Sequence, residues 1–104
     1  MMIARTWHGV TPASKGEAYF VYLSESGVKE YRRTKGNRGV YILRCVEGDQ
    51  AHFLLVSLWE SMDAIRAFAG VDVDKARYFP RDAEFLLEFE PTVAHYEVLA
   101  APDA

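Results

Sequence analysis

The sequence predicts an α+β fold with the element order β-α-β-β-α-β: a four-stranded antiparallel sheet with both helices on one face. Three observations carry this expectation. The segments "MIARTWHG" and "TVAHYEVLA", near the two ends, alternate as strands do. The central "GVYILRCVEGDQAHFLLVSLW" reads as a hairpin turning at "EGDQ". The "SMDAIRAFAG" that follows has its apolar residues at helical spacing.

Taken in order, the first strand puts Ile3, Arg5 and Trp7 on one face and Met2, Ala4, Thr6 and His8 on the other. "TPASKGEAYFVYL" then predicts a helix, with Thr11 as its N-cap, Pro12 at its first position and Gly27 as its stop. Ala18, Tyr19, Val21, Tyr22 and Leu23 form its apolar stripe. "VKEYRRTKGNRG" is polar and turn-rich and reads as a connection. Strand two runs from about Gly39 to Glu47 and strand three from Ala51 to Trp59. Ser61 caps the second helix, Asp63 suits its N-terminal dipole, Met62, Ile65, Phe68 and Ala69 face the core, and Gly70 ends it. "DVDKARYF" predicts one more short helix, closed by Pro80, and "RDAEFLLEFEP" an irregular stretch. The last strand sets Val93, His95, Glu97 and Leu99 against Ala94, Tyr96 and Val98. This order is the ferredoxin-like plan.

The third strand is apolar on both faces: Phe53, Leu55 and Trp59 one way, Leu54, Val56 and Leu58 the other. Helices on one side leave the second face open, and a monomer rarely exposes so large an apolar patch. The expectation is a homodimer, sheet against sheet.

Composition narrows the class. The 104 residues make a single domain, 1–104, and half of them are apolar, enough for a core. The net charge of -3 argues against a nucleic-acid binder. No apolar run is long enough to span a membrane, and "MMIARTWHGV" does not read as a signal peptide. Cys45 is the one cysteine, so no internal disulfide forms, which suits the cytoplasm. The terminal "APDA" reads as a loose end.

The element order, together with "SLWESMDAIRAFAG", "DKARYFP" and "PTVAHYEVL", resembles the antibiotic biosynthesis monooxygenase family, from Met2 to about Leu99. The resemblance implies a dimeric α+β barrel with a small-molecule pocket between sheet and helices in each subunit. It also implies cofactor-independent oxygenation of aromatic polyketides or quinols, or haem degradation. The haem-degrading members use an Asn on the first strand, a Trp on the second helix and an axial His. The equivalent places here fall near Thr6, on Phe68 and on Tyr78, and none matches. Cofactor-independent chemistry is therefore favoured, with haem and flavin left open.

Each candidate site residue has a plainer reading. A histidine could deprotonate a phenol or anthrone because it titrates near working pH. His95 is the first choice and His8 the second, on the expectation that both lie on central strands. His52 completes the set, and each could equally be a satisfied strand residue. His95 and Glu97 share a face, but two groups are too few for a metal site, so none is assigned. Trp59, Phe68, Tyr22 and Tyr78 could line a flat pocket for an aromatic substrate, or simply fill the core. Phe68 and Tyr78 rise above the core reading only through the resemblance, which implies pockets built at the equivalent places; the Tyr78 hydroxyl, if buried, would need a partner, and a substrate oxygen would serve. Arg32, Arg33, Lys35 and Arg38 read as a solvated connection and Cys45 as packing. The chain thus predicts either a small oxygenase with His95 and Tyr78 as catalytic groups, or a non-catalytic binding or dimerisation protein of the same fold.

Overall fold

The computed structural model describes residues 2–102. Four strands form one antiparallel sheet in the order β2-β3-β1-β4, with β1 at Ile3–Pro12, β2 at Asn37–Glu47, β3 at Gln50–Trp59 and β4 at Ala94–Glu97. The helices are α1, Gly16–Glu25; α2, Gly27–Arg33; and α3, Met62–Ala69. This is the ferredoxin-like arrangement. β1 pairs with β3 along its whole length, from Ile3↔Trp59 to Pro12↔Gln50. The hairpin β2–β3 turns at Gly48 and Asp49, and Gly48 takes φ +58, where a side chain is disfavoured.

The pleat sorts the side chains. Arg5 and Trp7 on β1 and Ala51, Phe53, Leu55, Ser57 and Trp59 on β3 are buried. Tyr19 and Leu23 of α1, Val28 and Tyr31 of α2, and Ile65 and Phe68 of α3 join them in one core. Leu54 of β3 and Tyr41, Leu43 and Cys45 of β2 are exposed on the opposite face. Cys45, expected to pack, is therefore open to solvent.

Several expectations need correction. Thr11 and Pro12 do not open a helix. They are the last residues of β1, held by pairing with Ala51 and Gln50, and a single 3-10 turn at Ala13–Lys15 leads into α1. Gly27 does not end the helical region. The chain breaks at Ser26, and Gly27 starts α2, whose Val28 and Tyr31 are buried at helical spacing. The expected polar connection is thus half helix.

No helix forms over 72–79. Its carbonyls go elsewhere: Arg5 Nη2 donates to Val73 O at 3.3 Å and Lys75 O at 3.1 Å. Ala76 N donates to Pro91 O, and Lys75 bridges Thr92. A backbone tied to a distant strand cannot close i→i−4 bonds. The 81–91 stretch is irregular, as expected, apart from a 3-10 turn at Asp82–Glu84. The strand expected over "TVAHYEVLA" shortens to four residues and lies at the sheet edge. His95 is therefore not on a central strand, whereas His8 is. Of the terminal "APDA", Asp103 and Ala104 lie outside the described residues.

Candidate functional site

His95 is carried by β4 opposite Arg5 of β1, and its side chain is 14% exposed. Its Nδ1 lies 3.3 Å from Asp74 Oδ1, and its Nε2 is buried without a partner. Burial lowers its pKa first and the Arg5 charge lowers it further, against an opposing pull from Asp74. At neutral pH the ring is uncharged. A proton on Nδ1 facing Asp74 leaves the Nε2 lone pair free, the tautomer a general base requires. His95 lines a cavity of about 280 Å³ at the β1–β4 edge with Ile3, Met62, Tyr96 and Glu97.

Arg5 was not singled out as a site residue, yet it is 2% exposed at the centre of the helix-facing side. Its guanidinium lies over the Phe68 ring, 5.6 Å from the centroid, and its Nε is buried without a partner. The strict alternation of Ile3, Arg5 and Trp7 was the available signal: an arginine on the inward face of a central strand. Asp74 was also missed, because its tie to His95 spans a loop whose path the sequence does not reveal.

Tyr78 stands at the wall of a second, inner cavity with Arg5, Trp7, Tyr19, Tyr31, Arg77 and Asp82 among its other lining residues. That cavity holds only about 20 Å³, room for roughly one water. The Tyr78 hydroxyl donates to Glu90 O at 2.6 Å and accepts from Trp7 Nε1 at 3.2 Å. Its hydrogen-bonding need is met inside the protein, with no ligand oxygen required. Burial raises its pKa, so it stays a neutral hydroxyl. Tyr78 and His95 do not share a cavity; Asp74 connects them, touching His95 and lining an open groove with Tyr78 and Phe89.

The remaining candidates scatter. Trp59 is fully buried, its indole donating to Ser57 Oγ at 2.9 Å. Phe68 is 5% exposed, packed between Trp59, Tyr31 and the guanidiniums of Arg5 and Arg77. Both are core. The Tyr22 hydroxyl accepts from Arg81 N, and its ring stacks on Phe85, away from His95. His8 lies on the open face of the sheet. There its Nδ1 bonds Glu90, its Nε2 meets His52 Nδ1 at 3.0 Å, and His52 Nε2 lies 3.4 Å from Glu47. Of the sequence candidates, then, only His95 combines burial, a cavity wall and an unpartnered reactive atom.

A haem-sized cofactor does not fit between sheet and helices. The inner cavity has the volume of a water, and Tyr78, the residue at the axial place, is committed to Glu90 and Trp7. Thr6, near the place of the Asn, pairs with Val56 and does not line this cavity; its neighbour Trp7 does.

The fold is shared with solved structures whose described functions differ. A haem-degrading protein of Mycobacterium tuberculosis superposes with a TM-score of 0.67 at 21% identity, over 99% of this chain and 100% of that one. A candidate antibiotic biosynthesis monooxygenase of Bacillus cereus gives 0.66 at 15% identity, over 100% and 97%. A similar candidate from Bordetella bronchiseptica gives 0.60 at 23% identity, over 95% and 98%. At these identities the likeness establishes the fold and leaves the reaction to the site. No family model matches the sequence, and no curated protein matches it.

Proposed function

We propose that the chain is a small cofactor-independent monooxygenase acting on an electron-rich aromatic or quinol-type molecule, with His95 as its general base. The observation that supports this reading best is the His95 ring, with Nδ1 turned to Asp74 and Nε2 buried and free. In such a reaction His95 removes a proton from the substrate. The carbanion forms a C–O bond to O2, and the peroxide anion takes the proton back. Loss of water then leaves a carbonyl where a CH2 stood, one oxygen atom going to product and one to water. No external reductant is needed. Tyr78 serves at the inner wall, braced by Trp7, and Phe68, itself backed by Trp59, supports Arg5 from the core side. A homodimer formed through the open sheet face, where Tyr41, Leu43 and Leu54 are exposed, and a reducing cytoplasm for Cys45 belong to the same proposal.

Oxygen uptake with a panel of anthrones and hydroquinones, with and without added haem or flavin, tests it. Uptake without cofactor is expected. His95→Gln should lower the rate by about a hundredfold or more, the usual weight of a general base. Uptake that depends wholly on added haem, or survives His95→Gln, would overturn the reading. A second reading has its own support: the inner cavity is nearly filled, as in a protein that binds or dimerises without catalysis. No uptake with any member of the panel would favour it. Among the described residues no helix is long and apolar enough to cross a membrane.

A further inference from the structure

Away from the edge cavity, a file of side chains crosses the open face of the sheet near the β2–β3 turn: Glu90, His8 and His52, with Glu47 beyond. His8 of β1 and His52 of β3 are diagonal neighbours there, because His8 pairs with Leu54 and Val10 with His52. Their rings stack 5.3 Å apart between centroids, 20° from parallel. His8 Nδ1 bonds the Glu90 carboxylate, and His8 Nε2 lies 3.0 Å from His52 Nδ1.

Counting hydrogens along the file fixes the tautomers of the neutral rings. A carboxylate only accepts, so His8 Nδ1 carries the hydrogen it shares with Glu90. That leaves His8 Nε2 bare, and His52 Nδ1 donates to it. His52 Nε2 is then bare as well. It stands 3.4 Å from Glu47, an acceptor whose side chain is 71% exposed and which cannot donate to a lone pair. A carboxylate orients a base, and the base is hydrogen-bonded to a third group with a free lone pair. This is the order that activates a weak nucleophile, and 3.0 Å is within the reach it requires.

We propose that Glu90, His8 and His52 form a nucleophilic triad, with His52 Nε2 as the nucleophile, that takes an acyl group from a small, uncharged, activated ester. A cavity of about 280 Å³ adjoins it, lined by both histidines with Val10, Gln50, Leu87 and Glu88. None of these residues is a lysine or arginine, and Glu47 and Glu90 add two further carboxylates at the histidines. An anionic donor such as a phosphate ester is repelled there, whereas a neutral acyl group is not. The triad shares no residue with the edge site, so either stands without the other.

The step balances. The Nε2 lone pair forms an N–C bond to the acyl carbon, and the ester C–O bond breaks with its electrons on the leaving oxygen. His52 Nδ1 passes its proton to His8 Nε2, and the imidazolium so formed is held by Glu90. Water then adds to the acyl carbon, and the N–C bond breaks with its electron pair left on Nε2. His8 returns its proton to Nδ1, and the carboxylic acid and one proton go to solvent.

The test uses the whole chain with 4-nitrophenyl acetate, whose leaving group is coloured, and diethyl pyrocarbonate, which marks a bare imidazole nitrogen for mass mapping. Acetate ester turnover is expected, with none of 4-nitrophenyl phosphate, and the pyrocarbonate adduct should form on His52 before His8 or His95. Cys45, the exposed cross-strand partner of His52, is the competing nucleophile, and Cys45→Ser should leave the rate unchanged. His8→Gln should lower it at least about tenfold, less than the full weight of a general base because water can also take the proton. Circular dichroism reports whether that variant folds; the mapping and the nitrogen-15 spectrum of the wild-type chain decide without it. That spectrum should show His52 with its hydrogen on Nδ1. A hydrogen on Nε2 instead, an adduct spread evenly over the three histidines, or a rate lost in Cys45→Ser would overturn the triad. So would a folded His8→Gln with an unchanged rate. Turnover of the phosphate would overturn the choice of an uncharged acyl donor.

Discussion

The two faces of β3 carry nearly the same apolar content and meet different fates. Phe53, Leu55 and Trp59 lie under three helices and are almost wholly buried. Leu54, two positions along from His52, is exposed, and Val56 and Leu58 are only partly covered. Periodicity alone does not distinguish the faces. What distinguishes them is where the chain returns: all three helices and the 71–79 segment come back over the same side. Burial on that side also collects polar exceptions, among them Ser57, which meets the Trp59 indole, and Arg5, whose Nη2 finds two carbonyls while its Nε stays unpartnered.

Substitutions can break this contrast. Trp59→Ala, on the covered face, should cost about 3–5 kcal/mol in denaturant unfolding, the range for deleting a buried large aromatic. A loss under 1 kcal/mol would mean that the covered face is not the main core. Gly9→Ala acts on the same face at the β1 backbone. A Cβ there would meet the Trp7 ring at 2.2 Å, so the indole must move away from Tyr78. The expected cost is about 1–3 kcal/mol, with a change in tryptophan fluorescence, and an unchanged spectrum would argue against this packing. Tyr78→Phe removes two hydrogen bonds and should cost about 2 kcal/mol with no ligand present. A stability effect seen only with ligand bound would instead make the hydroxyl a ligand contact.

The acid response sharpens the contrast further. His95 has a folded-state pKa below its ordinary 6.5, so the unfolded chain binds the proton first as pH falls. Its contribution should therefore hold above about pH 6.5 and decline below it, and His95→Gln should flatten that part of the stability profile. An unchanged slope in the variant would show that the ring titrates alike folded and unfolded. On the open face, Leu54→Asp should change monomer stability by less than about 0.5 kcal/mol but convert a dimer to the 11.8 kDa chain in light scattering. A wild-type chain already at that mass at micromolar concentration would show the open face to be unpaired.

The strands and α3 were legible because their signals are local: alternation, a Gly-containing turn, and a serine cap whose Oγ accepts from Ala64 N. α2 was hidden by a glycine that opens a helix instead of closing one, and by charged residues that outnumber its two buried apolar side chains, Val28 and Tyr31. The segment from 72 to 79 was misread for a different reason. Its carbonyls are claimed by Arg5, about seventy residues earlier, and no window along the chain contains both partners. The site divides in the same way. His95 is recognisable by residue type, whereas Arg5 and Asp74 gain their meaning only from register and a loop path.

The ladder joining β1 to β4 has four residue pairs, against ten between β1 and β3. Opening a short edge ladder breaks few bonds, so its free energy lies well below that of global unfolding. The amides of Ala94–Glu97 should lose their deuterium protection earlier than those of β3, on a path that leaves the central hairpin intact. Because His95 is one of the four, each such excursion unseals the Arg5 side of the sheet. The shortest ladder of the sheet is thus also the one that carries the residue opposite the buried guanidinium, and access to that side can proceed by fraying of one strand without any hinged lid.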